Sequence, residues 1–221
     1  LGVFLDANES PYENGYNRYP DPHQRALKEQ IAMIKGIEAE NIFIGNGSDE
    51  AIDLTFRVFC EPRLDNVVAI APSYGMYKVA AAMNDVELRE VALRENFALP
   101  TEELLAAADE HTKVIFLCSP NNPTGNSFPR EEMLRLVDEF EGLVVVDEAY
   151  IDFGGESAVG LIEKYDNLLV TRTFSKSRCM AGARLGYAFA SPAVIADLEK
   201  IKYSTNPYNV NRLTLLLGAA T

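Results

Sequence analysis

The chain has 221 residues, 48% hydrophobic and 24% charged, enough for one large globular domain with a sizeable core. Its formal net charge of −13 argues against nucleic acid, which is bound through clustered Lys and Arg, and against an anionic membrane surface. Three cysteines, Cys60, Cys118 and Cys179, lack CxxC spacing and fit a reduced, cytoplasmic compartment, with Cys60 and Cys118 read as inert buried thiols.

Residues 1–23 are rich in Asn, Pro, Tyr and Gly and read as an extended arm, and Leu1 to Ser10 lack the basic and apolar regions of a signal peptide. From residue 24 to 221 the pattern is periodic, and that stretch is read as the main domain. In chain order, the spacing predicts a helix over His23–Lys35, a strand over Asn41–Ile44, a helix over Asp49–Cys60 and a strand over Val67–Ala71. There follow a helix over Gly75–Met83, a strand over Glu87–Ala92, a helix over Thr101–Asp109, a strand over Lys113–Cys118 and a helix over Arg130–Phe140. The last elements are a strand over Leu143–Val146, a helix over Ala158–Lys164, strands over Leu168–Thr171 and Tyr187–Ala190, and a helix over Pro192–Lys202. The final residues, Gly218 to Thr221, read as helix, so the chain is expected to be part of a longer protein. Continuous β-branched runs such as Val144-Val145-Val146 suit strands covered on both faces. Alternating strands and helices imply an α/β fold with a mainly parallel sheet, in which ligands bind beyond the carboxyl ends of the strands.

The residues just after each strand are therefore the candidates. Gly45-Asn46-Gly47-Ser48-Asp49-Glu50 leads into a helix, which makes either an anion site or a plain cap by Ser48. Tyr74 could stack on a flat ligand or simply pack. Ser119-Pro120-Asn121-Asn122-Pro123-Thr124-Gly125 has turn chemistry, with a doubled amide that can reach a ligand. Asp147 ends an apolar strand, a costly place for an acid without a charged or donor partner. Thr173, Ser175, Lys176 and Arg184 cluster near glycines, where hydroxyls and a guanidinium suit a phosphate and a desolvated lysine can act as a nucleophile. The only histidines, His23 and His111, sit in polar loops without a hydrolase or metal motif, so no metal is expected.

Taken together, these strand ends resemble the fold-type I pyridoxal-phosphate aminotransferases, and most of all their histidinol-phosphate aminotransferase branch. The resemblance is carried by Ala7-Asn8-Glu9, Arg18-Tyr19-Pro20-Asp21-Pro22, Gly47-Ser48-Asp49-Glu50-Ala51-Ile52, Pro72-Ser73-Tyr74-Gly75-Met76-Tyr77, Pro120-Asn121-Asn122-Pro123-Thr124-Gly125, Asp147-Glu148-Ala149-Tyr150 and Arg172-Thr173-Phe174-Ser175-Lys176. It implies that Lys176 forms a Schiff base with pyridoxal 5′-phosphate and then moves a proton between substrate and cofactor. It further implies that Asp147 keeps the pyridine nitrogen protonated, that Tyr150 and Asn122 hold the ring's 3-oxygen, and that Tyr74 stacks on the ring. The phosphate would fall to backbone groups of Gly47, Ser48 and Asp49, to Thr173 and Ser175, and to Arg184. Tyr19 would reach the phosphate of a partner subunit, which implies a homodimer. The implied reaction is transamination of L-histidinol phosphate with 2-oxoglutarate to imidazole acetol phosphate and glutamate, in histidine biosynthesis. The resemblance also implies a C-terminal small domain, carrying the grip on the substrate carboxylate, that this sequence lacks.

The sequence departs from the family at Ser10, and at Ser177-Arg178-Cys179-Met180, where altered packing with intact chemistry is expected. Relatives acting on aromatic amino acids, or a threonine-phosphate decarboxylase, share the same cofactor residues. A non-catalytic nucleotide-binding module is the reading outside this class. It lacks GxGxxG and leaves Asp147, Lys176 and Arg184 unexplained.

Overall fold

The computed structural model describes residues 7–221. The first six positions of the arm, and with them most of the stretch scanned for a signal peptide, lie outside the described residues. Residues 7–24 carry no helix or strand.

Among the described residues, seven strands form one sheet in the order β1-β7-β6-β5-β4-β2-β3. They are β1 (Ile42–Asn46), β2 (Asn66–Ala71), β3 (Glu87–Ala92), β4 (Thr112–Cys118), β5 (Leu143–Asp147), β6 (Leu168–Thr173) and β7 (Leu185–Phe189). From β3 to β6 all pairings are parallel, whereas β7 runs antiparallel to both β6 and β1. Strand periodicity divides the apolar residues between two core layers. Val144, Val146, Ile115, Leu117, Ile42 and Ile44 face one layer. Leu143, Val145, Val114, Phe116 and Phe43 face the other.

Helices cover both faces. On the first lie α1 (Arg25–Lys35), α4 (Thr101–Ala107) and α5 (Arg130–Glu139), contributing Leu27, Ile31, Leu104, Met133 and Leu136. On the second lie α2 (Ser48–Phe59), α3 (Met76–Met83) and α6 (Pro192–Thr205), contributing Ile52, Phe56, Tyr77, Ala80 and Leu198. A last helix, α7 (Arg212–Ala220), packs Leu215 against the first layer.

Two helix expectations are corrected. Residues 158–164 form only a three-residue 3-10 turn, Val159–Leu161, in place of a helix. The Ala158 N–H and the Ser157 hydroxyl both donate to the Glu148 carboxylate, so a tertiary contact fixes the start of this segment while Val159 and Ile162 fill the core. The first helix begins at Arg25, not His23, because Gln24 takes a left-handed conformation with φ 49° and Asp21 accepts the His23 and Arg25 N–H groups. Among the described residues no helix is long and apolar enough to cross a membrane.

Candidate active site

The parallel strands point their carboxyl ends at one edge of the sheet, and the reversed β7 begins at that same edge. A cleft of about 120 Å³ opens there. It is lined by Gly47, Ser48 and Asp49 after β1, Tyr74 after β2, Asn122 of the doubled amide after β4, Asp147 and Tyr150 after β5, Thr173, Ser175 and Lys176 at and after β6, and Arg184 before β7. Tyr19 does not. Its ring stacks on Tyr208 at a centroid distance of 4.2 Å, beside a separate hollow formed by the arm and α7. Glu9 fixes that arm, pairing with Arg18 and accepting the Tyr19 N–H.

The anion end of the cleft is built from backbone. Ser48 is not the helix cap; Gly47 is, and among the described residues no side chain caps α2. The first-turn N–H groups of this helix are thus left to a ligand. Glycine is favoured at position 47 by its φ of 74°, and a Cβ there would stand 2.8 Å from the mobile tip of the Arg184 guanidinium, which would have to shift. Gly186 lets β7 pass directly beneath this loop, since a Cβ would fall 2.1 Å from the Gly47 carbonyl carbon. Glu50 ties the approach, accepting from the Asn46 N–H and the Asn209 amide. The Asp49 side chain does something the sequence did not announce: it accepts from the Tyr74 hydroxyl at 2.9 Å and pairs with Arg184 at 3.2 Å. The Thr173 hydroxyl accepts the Ser175 N–H at 3.0 Å and so shapes the turn leading to Lys176.

The opposite end is a buried carboxylate. Asp147 is 1% exposed. Its Oδ1 accepts from the Thr171 hydroxyl and the Ala149 N–H, and its Oδ2 accepts from the Tyr77 hydroxyl. All three donors are neutral, and burial pushes the carboxyl up to about 6 against their pull. Lys176 lies across the cleft with its Nζ 5.4 Å from the centre of the Tyr150 ring. The doubled amide is divided in role: Asn121 is buried and donates to the Pro72 carbonyl and Thr124 hydroxyl, while Asn122 lines the cleft.

Cys118 also lines the cleft, but burial pushes its thiol up to about 12, which keeps it a protonated wall. Cys179 is exposed, with φ 54° and its sulfur turned to the Ser177 carbonyl. In the departing segment 177–180, the Met180 N–H bonds the Phe174 carbonyl and Ser177 donates to the Asp152 carboxylate. Neither histidine borders the cleft; His23 stacks on Tyr203 and His111 lies by Asp65. No group of three or more His, Cys, Asp or Glu among the described residues could hold a metal ion. The donor set fits a flat, phosphorylated ring: an uncapped helix with hydroxyls and a guanidinium at one end, and a buried acceptor short of a cation at the other.

Sequence reasoning passed over Tyr77 and Thr171. Both lie inside apolar elements, where an aromatic or a hydroxyl has no distinguishing spacing.

A sequence profile of the family described as aminotransferase class I and II matches residues 6–215. Over 213 residues, 96% of this chain, the sequence is 59% identical to the histidinol-phosphate aminotransferase of Bacteroides fragilis strain YCH46 and 60% identical to that of Bacteroides thetaiotaomicron. The chain spans 61% of the length of each of these relatives. The fold is similar to that of the histidinol-phosphate aminotransferase from Sinorhizobium meliloti in complex with pyridoxal-5'-phosphate, with a TM-score of 0.83 at 28% identity, covering 92% of this chain and 56% of that one. The corresponding enzyme from Clostridium acetobutylicum gives 0.81 at 28% identity, covering 91% of this chain and 60% of that one. With the profile running through nearly all of its length, this chain belongs to the class I and II aminotransferase family.

Proposed function

We propose that this chain carries the cofactor site of a pyridoxal-phosphate-dependent aminotransferase that converts L-histidinol phosphate and 2-oxoglutarate to imidazole acetol phosphate and glutamate. The observation that carries the reading is the cleft itself, which gathers Lys176, Asp147 and the uncapped start of α2 on one edge of the sheet. The choice of substrate is supported by relatives at 59% and 60% identity that bear that enzyme's name.

Pyridoxal phosphate, when bound, supplies an aldehyde for an amine and a protonated pyridine ring that draws electrons from the substrate's α-carbon. Lys176 Nζ would be the amine that holds the cofactor and, once a substrate amine had displaced it, the group that would take the proton from the substrate's α-carbon and deliver it to the cofactor carbon that bore the aldehyde. Asp147 Oδ2 holds the proton on the ring nitrogen; the cation formed there offsets the burial of the carboxylate. Tyr150 and Asn122 hold the ring's 3-oxygen, and Tyr74 covers one face of the ring. The phosphate is held by the N–H groups of Gly47, Ser48 and Asp49, by the Thr173 and Ser175 hydroxyls and by Arg184, which confines positive potential to one pocket of a protein of net charge −13. Tyr19, on the exposed arm, is assigned to the phosphate of a second copy of the chain, which makes the working form a homodimer.

Borohydride reduction of the loaded protein, followed by peptide mass spectrometry, tests the cofactor assignment. A cofactor adduct on the peptide containing Lys176 is expected, and an adduct elsewhere, or none, overturns it. Steady-state rates with histidinol phosphate and with phenylalanine test the substrate, and a preference for phenylalanine would move the assignment to the aromatic amino-acid enzymes.

A further inference from the structure

Tyr77 lies in the first turn of α3, three residues beyond Tyr74, and is 1% exposed. A fully buried phenol is placed at a cost unless its hydroxyl has a partner. Its partner is Asp147 Oδ2, at 3.1 Å. The ring is held on both sides: it stacks on Phe116 with centroids 4.9 Å apart and 22° between planes, and it meets the Tyr74 ring edge-on at 5.8 Å and 89°. Oδ1 of Asp147 already accepts from the Thr171 hydroxyl and the Ala149 N–H. A carboxylate oxygen accepts about two hydrogen bonds, so Oδ1 is filled and Oδ2, with one donor, keeps one lone pair.

We infer that Tyr77 is a positioning residue: by occupying one lone pair of Asp147 Oδ2 it leaves the other as the single acceptor offered to a ring N–H in the cleft, and its perpendicular contact with the Tyr74 ring sets the plane of Tyr74. This rests on the cleft being the site of the phosphorylated pyridine. One buried side chain thereby links the residue that meets the ring's nitrogen to the residue that covers its face, so the two cannot be displaced independently. The groups that face Asp147 are Tyr77 from α3, Cys118 from β4, Thr171 from β6, and Asp49, Tyr74 and Lys176 across the cleft. Among the described residues, Tyr77, Thr171 and the Ala149 N–H donate to its carboxylate.

The test compares Tyr77→Phe with the unaltered protein, full chain in both cases, using two probes that differ in one atom: pyridoxal phosphate and its 1-deaza analogue, in which carbon replaces the ring nitrogen. Affinity for pyridoxal phosphate is expected to fall about tenfold, the fold-change that one hydrogen bond to a charged group carries, with affinity for the deaza analogue unchanged. Equal losses for both probes would make Tyr77 a packing residue and overturn the inference. The coupling is also read without ligand. The Asp147 carboxyl stretch, isolated by infrared difference against Asp147→Asn, should titrate at higher pH in Tyr77→Phe, and an unmoved midpoint overturns the inference. If the unaltered protein binds neither probe, the cofactor reading fails while this titration still decides the Tyr77–Asp147 link. Should Tyr77→Phe not fold, 3-fluorotyrosine at position 77, a stronger donor, must move the same midpoint down.

Discussion

Asp147 and Glu148 are neighbours in sequence, and both are almost wholly buried, yet they have opposite surroundings. Glu148 meets the Arg172 guanidinium through Nε at 3.0 Å and Nη2 at 2.7 Å, and also accepts from the Ser157 hydroxyl and the Ala158 N–H. Burial raises its carboxyl and the guanidinium pulls it back. Asp147, turned to the cleft, has three neutral donors and, among the described residues, no cation paired with it. A buried acid whose countercharge is part of the chain belongs to the structure; one without it is a site awaiting a ligand.

The largest expected effect comes from Asp147. Asp147→Asn in the intact enzyme should lower kcat by about 10²–10³-fold, the usual consequence of removing one preorganised electrostatic partner, and steady-state assay of the purified variant measures it. Glu148→Gln should leave the rate per folded molecule within about twofold but destabilise the protein by about 3 kcal/mol, because Arg172 stays buried with only the more distant, part-exposed Asp152, 3.8 Å away, as countercharge. Urea unfolding reads that loss. A Glu148 variant with full stability and lost activity would erase the distinction between the two acids.

The same pair separates by pH in the protein without cofactor. Burial raises the Asp147 carboxyl from 3.8 to about 6. A raised carboxyl stabilises the fold while it is protonated, and that contribution is lost as pH climbs from about 4 through about 6. Above pH 6 the ionised group carries its full cost, on the order of 3 kcal/mol. Asp147→Asn should therefore be more stable than the unaltered protein at pH 8, with the gap narrowing toward pH 5. Adding pyridoxal phosphate should narrow it at pH 8 as well, since the ring's cation supplies what the pocket lacks. Thermal melts at several pH values measure both trends, and a gap independent of pH would mean that Asp147 is not strained by burial.

Most of this geometry was legible in the sequence. Apolar runs such as Val144-Val145-Val146 located the covered strands, which leave little choice of residue, while the edge strand β3, Glu87–Ala92, is part-exposed and charged and was found by its place in the strand–helix alternation; the sheet's direction then named the edge where ligands bind. Strand ends shifted by a residue or two because hydrogen-bond pairing, which the pattern does not contain, decides them. The segment at 158–164 misled for the same reason: its helical pattern yields to a contact with Glu148, ten residues earlier than Ala158. Tyr77 and Thr171 stayed hidden because their partner, Asp147, is reached only through the fold, across 70 and 24 positions. Charge pairing was equally invisible; nothing around Arg184 in sequence points to Asp49, 135 positions away.

That last pair marks a third kind of acid, between the other two. Asp49 is partly exposed, with 31% of its side chain accessible, and its cation, Arg184, is one that an incoming phosphate would also claim. Solvent screens such a pair, so its strength is modest and its effect should be the smallest of the series. Asp49→Asn keeps an acceptor for the Tyr74 hydroxyl while removing the negative charge from the anion pocket. Inorganic phosphate should then bind the cofactor-free protein a few-fold more tightly, by calorimetry, and the gain should shrink as salt is raised from about 50 mM to 500 mM. Unchanged phosphate affinity would show that Arg184 is not shared between acid and ligand. Weaker binding would show that the Asp49 carboxylate is needed to aim the guanidinium, and would move this residue from competing with the phosphate to positioning its partner.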